Sequence, residues 1–392
     1  NCLTFFHRVV VIFTTDTSMC LILETPIVLH WLYKLLGIVQ FSLKPSPSRI
    51  HDRLYCLPFY FLFLYTWFYY SFILHRNTSG IVNLLKDLTN IETFLYVVIG
   101  YLCFYTRSSN LRSLILRINT VKEKTVAFST RKAPLNKWIR INSVTLFFLT
   151  VSFIPFITKQ PINFIYPSFS QLLIVFDVLF LNDVMHCIYA EFESINRHLH
   201  RQINSVSLSQ IFPLTRLEKI KTLEDEEIAS SVEQVHKASH LHYELVKIAV
   251  QVSKCFEITI IFSLLLWFEH MIDDVYYLVD ITITGRYKLI DYVYNGALLS
   301  NSFYWLFVMI RIFVRVKSEA NNTSTFVHDM WNKWTETSKS DCKIRHLQLV
   351  SMRLLNTKVY FTAGDLFSLD WSLGHMVSRK NFCGYLFKMF SS

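Results

Sequence analysis

The chain has 392 residues, 52% of them hydrophobic and only 17% charged, with a mean hydropathy of +0.32 and a formal net charge of +10. Soluble domains carry about 25% charged residues, so the deficit points to a membrane protein rather than a soluble domain. The low counts of Gly 8 and Pro 9 argue against Gly-rich phosphate loops, turn-rich β-barrels and transporters built on broken helices, and leave long helices as the default.

The chain opens on Asn1 rather than Met, with Met19 as an alternative initiator, so residues 1–18 are treated as a segment of uncertain origin. The apolar run VVVIFTT (9–15) lacks a small-residue cleavage site and is not read as a signal core. PIVLHWLYKLLGIVQF (26–41) is short and interrupted by His30 and Lys34, which predicts an interfacial helix rather than a span. Residues 1–56 form a cytoplasmic N-terminal segment on this reading, and 57–392 a single membrane domain.

A helix needs about 20 apolar residues to cross about 30 Å of hydrocarbon. Runs of this kind fall at 57–74, 88–105, 138–157, 162–189, 248–279 and 291–316, and a seventh, more charged one at about 366–390. The predicted fold is therefore all-α and polytopic, with seven transmembrane helices. Residues 214–250 mix charge and apolar residues at helical spacing and predict an extension of the fifth helix beyond the bilayer.

Lys and Arg set the orientation. Arg107, Arg112, Arg117, Lys122 and Lys124 follow the second run, Arg197 and Arg201 the fourth, and Arg315, Lys317 and Lys333 the sixth. The alternate connections are poorer in them, which places the N-terminus inside and the C-terminus outside. The positive charge then reflects this bias and implies no nucleic acid. Asn77-Thr78-Ser79 is a glycosylation sequon in the first loop, on the outer side; those at Asn321 and Asn322 fall inside and are expected to be silent.

The eight cysteines (Cys2, Cys20, Cys56, Cys103, Cys187, Cys255, Cys342 and Cys383) contain no CxxC pair and read as reduced or packed thiols. HKASHLH places His236 and His240 four apart, a spacing that can ligate a metal. Without a Cys or carboxylate partner it reads as a solvated helix face, as do His198 and His200, so no metal or other cofactor is expected. GxSxG, HExxH, P-loop and dinucleotide motifs are missing, so no enzyme is expected either.

Ionisable residues within spans are expensive, about 2.5–3.5 kcal/mol at mid-bilayer on the milder scale. Asp177 and Asp183 lie in the fourth run, and Arg311 interrupts the sixth, so Asp183 and Arg311 are a candidate interhelical pair. Toward the outer ends stand Tyr96, Phe169, Gln171, Trp267, Glu269, His270, Tyr292, Asn295, Asn301, Tyr304 and Trp305. Flat apolar walls with a few fixed hydrogen-bonding groups suit a pocket for a small organic molecule. The same residues also suit an interfacial aromatic belt, and both readings stay open.

The segment VYFTAGDLFSLDWSL (359–373) carries a more specific signal. Phe361, Gly364, Phe367, Leu369 and Asp370 resemble the turn and L-F-x-L-D pattern that opens the seventh helix of the insect chemoreceptor superfamily, and of its gustatory receptors in particular. YKLLGIV (33–39) resembles the start of those receptors. The resemblance implies a taste receptor in the plasma membrane of a sensory neuron. It implies a ligand-gated, non-selective cation channel, homo- or hetero-tetrameric and surrounded by membrane lipid. It also implies a tastant pocket in the outer half of each bundle and a pore lined by the seventh helices.

The chain departs from the family pattern near its end. Tyr385 falls near the place of the family's Thr-Tyr…Gln-Phe ending, but Gly384 precedes it, and Arg379, Lys380 and Lys388 interrupt the apolar run. Cations in a cation-conducting pore repel the permeant ion. Either the last helix is divergent, or the reading frame leaves the receptor after Leu373, at a Val377-Ser378 pair that a splice-donor sequence can encode, giving a non-conducting receptor fragment. A G-protein-coupled receptor is the alternative from another class, and it requires the opposite orientation.

Overall fold

The computed structural model describes residues 27–41, 57–69, 81–126, 161–209, 217–284, 289–337 and 342–373. Seven helices and one small hairpin account for nearly all of them. The helices are α1 (Ile27–Leu35), α2 (Leu57–Tyr69), α3 (Ile81–Val126), α4 (Pro161–Ser209), α5 (Leu217–Thr284), α6 (Leu289–Thr337) and α7 (Cys342–Asn356). Strands β1 (Thr362–Ala363) and β2 (Phe367–Ser368) pair antiparallel. The run at 138–157, Asn77, Tyr385 and the basic residues of the tail lie outside the described residues.

The helices are much longer than the apolar runs that announce them. α5 has 68 residues with no Gly or Pro to interrupt it; at 1.5 Å per residue it is roughly 100 Å long, about three times the hydrocarbon thickness. α3, α4 and α6, at 46, 49 and 49 residues, also exceed it. Hydropathy falls where charge begins, yet Lys, Arg, Glu and Gln are good helix formers. The basic stretches read as connections are thus largely helical, including Arg107 to Lys124 within α3. Among the described residues, 171–202, 232–276 and 292–333 are long and apolar enough to cross a membrane.

Contacts between helices fix their relative directions. Arg107 meets Asp177, and Thr125 meets Glu191, so α3 and α4 run parallel. Arg107 also meets Thr259 and Arg117 meets Gln251, so α5 runs antiparallel to α3. Tyr189 on α4 meets Arg315 on α6, Asn196 bonds Glu319 and Thr323, and His200 meets Phe326, again parallel. The charge-rich extensions of all four helices therefore gather at one end of the bundle.

α1 departs from expectation. Rather than lying on the bundle's surface, it packs inside it: Tyr33, Leu36, Ile38 and Val39 are buried, together with His30 and Lys34. The Tyr33 ring stands edge-on to Phe176 (6.3 Å) and close to Phe180 (5.1 Å) on α4. Gly37, at φ 74°, ends the helix, and the bonds Ile38 N–H to Tyr33 O (2.9 Å) and Gly37 N–H to Lys34 O (3.0 Å) complete a Schellman cap. Residues 38–41 then turn into the core, and Tyr60 of α2 donates to Leu36 O.

α7 packs on α6 through Leu347, Ser351 and Leu354, spaced as one helical face. The hairpin follows after five residues. Gly364 (φ 60°) and Asp365 (φ 54°) form its two-residue turn, closed by Leu366 N–H to Ala363 O at 3.0 Å. Two successive positive φ values define the I′ turn that matches strand twist, which explains Gly followed by Asp here. Thr362 Oγ1 donates to Asp365 Oδ1 (2.9 Å) and supports the turn. Residues 366–368 belong to the hairpin, and the chain becomes helical only at Trp371, later than the expected 366.

Candidate functional site

Three polar and aromatic groupings form the interior from its middle to its basic end. The first joins α3, α4 and α5. Arg107 forms a buried ion pair with Asp177, with side-chain exposures of 4% and 3%. Its guanidinium lies 4.5 Å from the Phe104 ring centroid and 4.1 Å from that of Phe256, and it donates to Thr259 Oγ1 at 3.3 Å. Two aromatic faces and a fixed acceptor offset part of the desolvation of the charge. The sequence reading placed Arg107 in a cytoplasmic loop; it is instead the interior partner of Asp177.

The second grouping corrects the expected pairing of Asp183 with Arg311. Asp183 Oδ2 accepts from the Tyr33 hydroxyl at 2.8 Å. Arg311 faces outward from α6, with its guanidinium 5.9 Å from the Phe307 ring. The α1 segment supplies the partner that α6 was expected to supply. This was hidden because α1 was assigned to the membrane surface.

The outer residues separate into sets. Tyr96 is buried on α3 beside Ser263 of α5, one turn from the buried Trp267. On α6, Trp305 is fully buried, and its Nε1–H donates to Asn301 Oδ1 at 3.0 Å. The Tyr304 ring meets the Trp305 ring edge-on at 5.3 Å. Asn295 is buried, and Gln171, Glu269, His270 and Tyr292 are half-buried. The side chain of Phe169 lies outside the described residues. Asn301, Tyr304 and Trp305 form one connected group on α6, and Tyr96 meets Ser263 on the α3–α5 contact.

The third grouping ties the hairpin to α6 over four turns of helix. Asn321 Oδ1 accepts from Val359 N–H at 3.0 Å. Lys317 Nζ lies 3.4 Å from Asp370 Oδ2 and 4.9 Å from the Tyr360 ring centroid. Phe313 packs on Phe361 (5.2 Å), and Phe307 on Trp371 (5.4 Å). Phe361 and Leu369 are buried and close the hairpin base, Leu369 N–H bonding Phe361 O at 2.9 Å. Asp370 also accepts from Ser372 N–H and Oγ, and that bonding, led by the Ser372 hydroxyl, lowers its pKa. Asn321 is thus held within a helix and bonded to the segment that leads into the hairpin.

The histidines divide by burial. His236 and His240 are exposed and line a cleft of about 600 Å³ with Lys124, His198, Gln234 and Lys237. No group of three or more His, Cys, Asp or Glu among the described residues is placed to hold a metal ion. His242, two residues on, is buried, with Nε2 2.9 Å from Ala320 O and its ring against Phe192.

Comparison with known proteins defines the class. The model of the seven-transmembrane chemosensory receptor family matches residues 27–378. The chain therefore belongs to the chemosensory receptor family, a membrane-protein family that is not enzymatic. Its fold is similar to that of the insect olfactory receptor OR5 of Machilis hrabei, with 12% identity, a TM-score of 0.54, and 92% of this chain and 96% of that chain covered. The structure of that receptor in complex with eugenol matches with 12% identity and a TM-score of 0.56, covering 89% and 94%. No curated protein sequence matches the chain.

Proposed function

We propose that this receptor is a taste receptor and a ligand-gated, non-selective cation channel in the plasma membrane of a sensory neuron. On this reading seven helices span the bilayer, with the N-terminus inside and the basic ends of α3 to α6 in the cytoplasm. Four subunits, identical or mixed, place their seventh helices around a central pore. A small organic tastant binds among the outer residues of α3, α5 and α6, and the eugenol complex of the fold relative is in keeping with a ligand of that size.

The observation that carries the reading is the tie between α6 and the hairpin. The helix bearing Asn301, Tyr304 and Trp305 is the one that grips Phe361, Asp370 and Trp371 at the start of the seventh segment. A ligand that favours one position of α6 thereby biases the seventh helix, which is what gating by population shift requires. Exposed Tyr360, Leu366 and Trp371 supply apolar surface of the kind a neighbouring subunit covers.

Expression in cells dialysed with GDPβS, challenged with sugars and bitter compounds, tests the proposal. The channel reading expects rapid cation current that survives the block. A response abolished by the block, together with an unglycosylated Asn77, would establish the G-protein-coupled alternative.

A further inference from the structure

A cleft of about 580 Å³ opens between α3 and α5, apart from both the outer residues and the hairpin. Arg107 lies at its back; Asn110, Ser113 and Arg117 line it from α3, and Gln251 and Lys254 from α5. Its lining contains no carboxylate. Arg107 is neutralised by Asp177. Arg117 is held at 2.8 Å by the neutral amide of Gln251, and exposed Lys254 has no ion-pair partner among the described residues. Two cations from two helices thus share one cleft without a counter-ion.

The surroundings narrow the chemistry of the missing anion. Leu114 of α3 and exposed Ile258 of α5 line the cleft itself and give it an apolar rim. A soluble anion has no use for such a rim, whereas a phospholipid presents a phosphate and acyl chains together. The Arg117 fork, the three Lys254 donors, the Asn110 amide and the Ser113 hydroxyl match phosphate oxygens. The cleft runs about 20 Å along α3 from Cys103 to Arg117, toward the basic end. With the orientation proposed above, it lies at the cytoplasmic leaflet, where anionic lipids concentrate.

The geometry points to a binding site for the phosphate headgroup of an anionic phospholipid, with Arg117 and Lys254 as its anion contacts. The assignment of leaflet rests on the proposed orientation; the headgroup chemistry does not. A bound headgroup bridges α3 and α5 and supplies the charge that Arg117 and Lys254 lack.

The cleft contains its own reporters, because half-buried Cys103 and Cys255 line it. The full-length receptor is placed in nanodiscs of phosphatidylcholine, with or without phosphatidylinositol 4-phosphate, and N-ethylmaleimide labelling of these two cysteines is followed by peptide mass spectrometry. The phosphoinositide is expected to slow labelling several-fold in the wild type and in Lys254→Arg, but not in Lys254→Gln or Arg117→Gln. Lys254 is exposed, so its variant keeps the fold even if Arg117→Gln does not. Equal labelling in both discs overturns the site. Equal protection by inorganic phosphate in phosphatidylcholine discs overturns the lipid as its source. Nanodiscs carry the lipid in both leaflets and the readout needs no conduction, so failure of the channel or orientation reading leaves this result distinct.

Discussion

Arg107–Asp177 in the bundle and Lys317–Asp370 at the hairpin are the same kind of ion pair, yet their exposures are 4% and 3% in the first and 25% and 26% in the second. The buried pair has two aromatic rings and a hydroxyl around its cation. The hairpin pair is one of several contacts on the same stretch of α6. A buried pair is costly to break because the remaining charge is stranded, whereas an exposed pair contributes little stability by itself. The first sets the packing of three helices; the second helps set the position of the seventh segment.

The comparison is broken most severely at Asp177. Asp177→Ala leaves Arg107 buried without its counter-charge and should destabilise the receptor by about 3–5 kcal/mol, read as loss of the monodisperse species in thermal-shift size-exclusion chromatography. Replacing both partners with apolar residues, as in Arg107→Met with Asp177→Leu, should recover most of the loss. Failure to recover would mean that the pair does more than satisfy itself.

Gly364→Ala should have the next largest effect. A side chain at φ 60° is disfavoured by about 1–2 kcal/mol, and its Cβ would lie 2.9 Å from Ile261 Cδ1 on α5. The flexible end of Ile261 can shift, so backbone strain should dominate. Asp365→Asn, which keeps a residue suited to the second turn position, should be near neutral in the same assay.

The smallest effect belongs to the hairpin pair. Lys317→Ala should cost at most about 1 kcal/mol of stability. The pH dependence follows from the lowered Asp370 pKa. A carboxyl whose folded pKa lies below its unfolded one contributes stability above the unfolded value and loses it as pH falls through the folded value. The Asp370 contribution should therefore be constant above the usual carboxylate range and vanish in strong acid. Subtracting Asp370→Asn melts from wild-type melts across pH reads that difference directly; a difference that grew with rising pH near neutrality would contradict it.

Much of this could be read from the sequence. The helical class and the approximate positions of α2, α4, α5 and α6 follow from apolar runs, and the turn at Gly364 from the family resemblance. The extension of α5 was legible in the helical spacing of 214–250, but the length of α3 was not, because hydropathy stops at Arg107 although helix propensity continues to Val126. Arg107–Asp177 joins residues 70 apart, and nothing local marks the partner. Tyr33–Asp183 spans 150 residues and depends on α1 entering the bundle, which buried His30 and Lys34 made hard to anticipate. The outer residues were legible as a class, but not their division between an α6 group and an α3–α5 group.

The central claim is that α6 and the seventh segment move as one unit through Phe361, Asp370 and Trp371. It is tested most directly by Phe361→Ala, which removes the Phe313 contact at 5.2 Å. Whole-cell currents would be recorded at matched surface abundance, using the compound that activates the wild type, with binding of that compound followed by tryptophan fluorescence. The account predicts that binding persists while the ligand-evoked current falls sharply. An unchanged dose–response and maximal current would show that the hairpin does not couple the two segments.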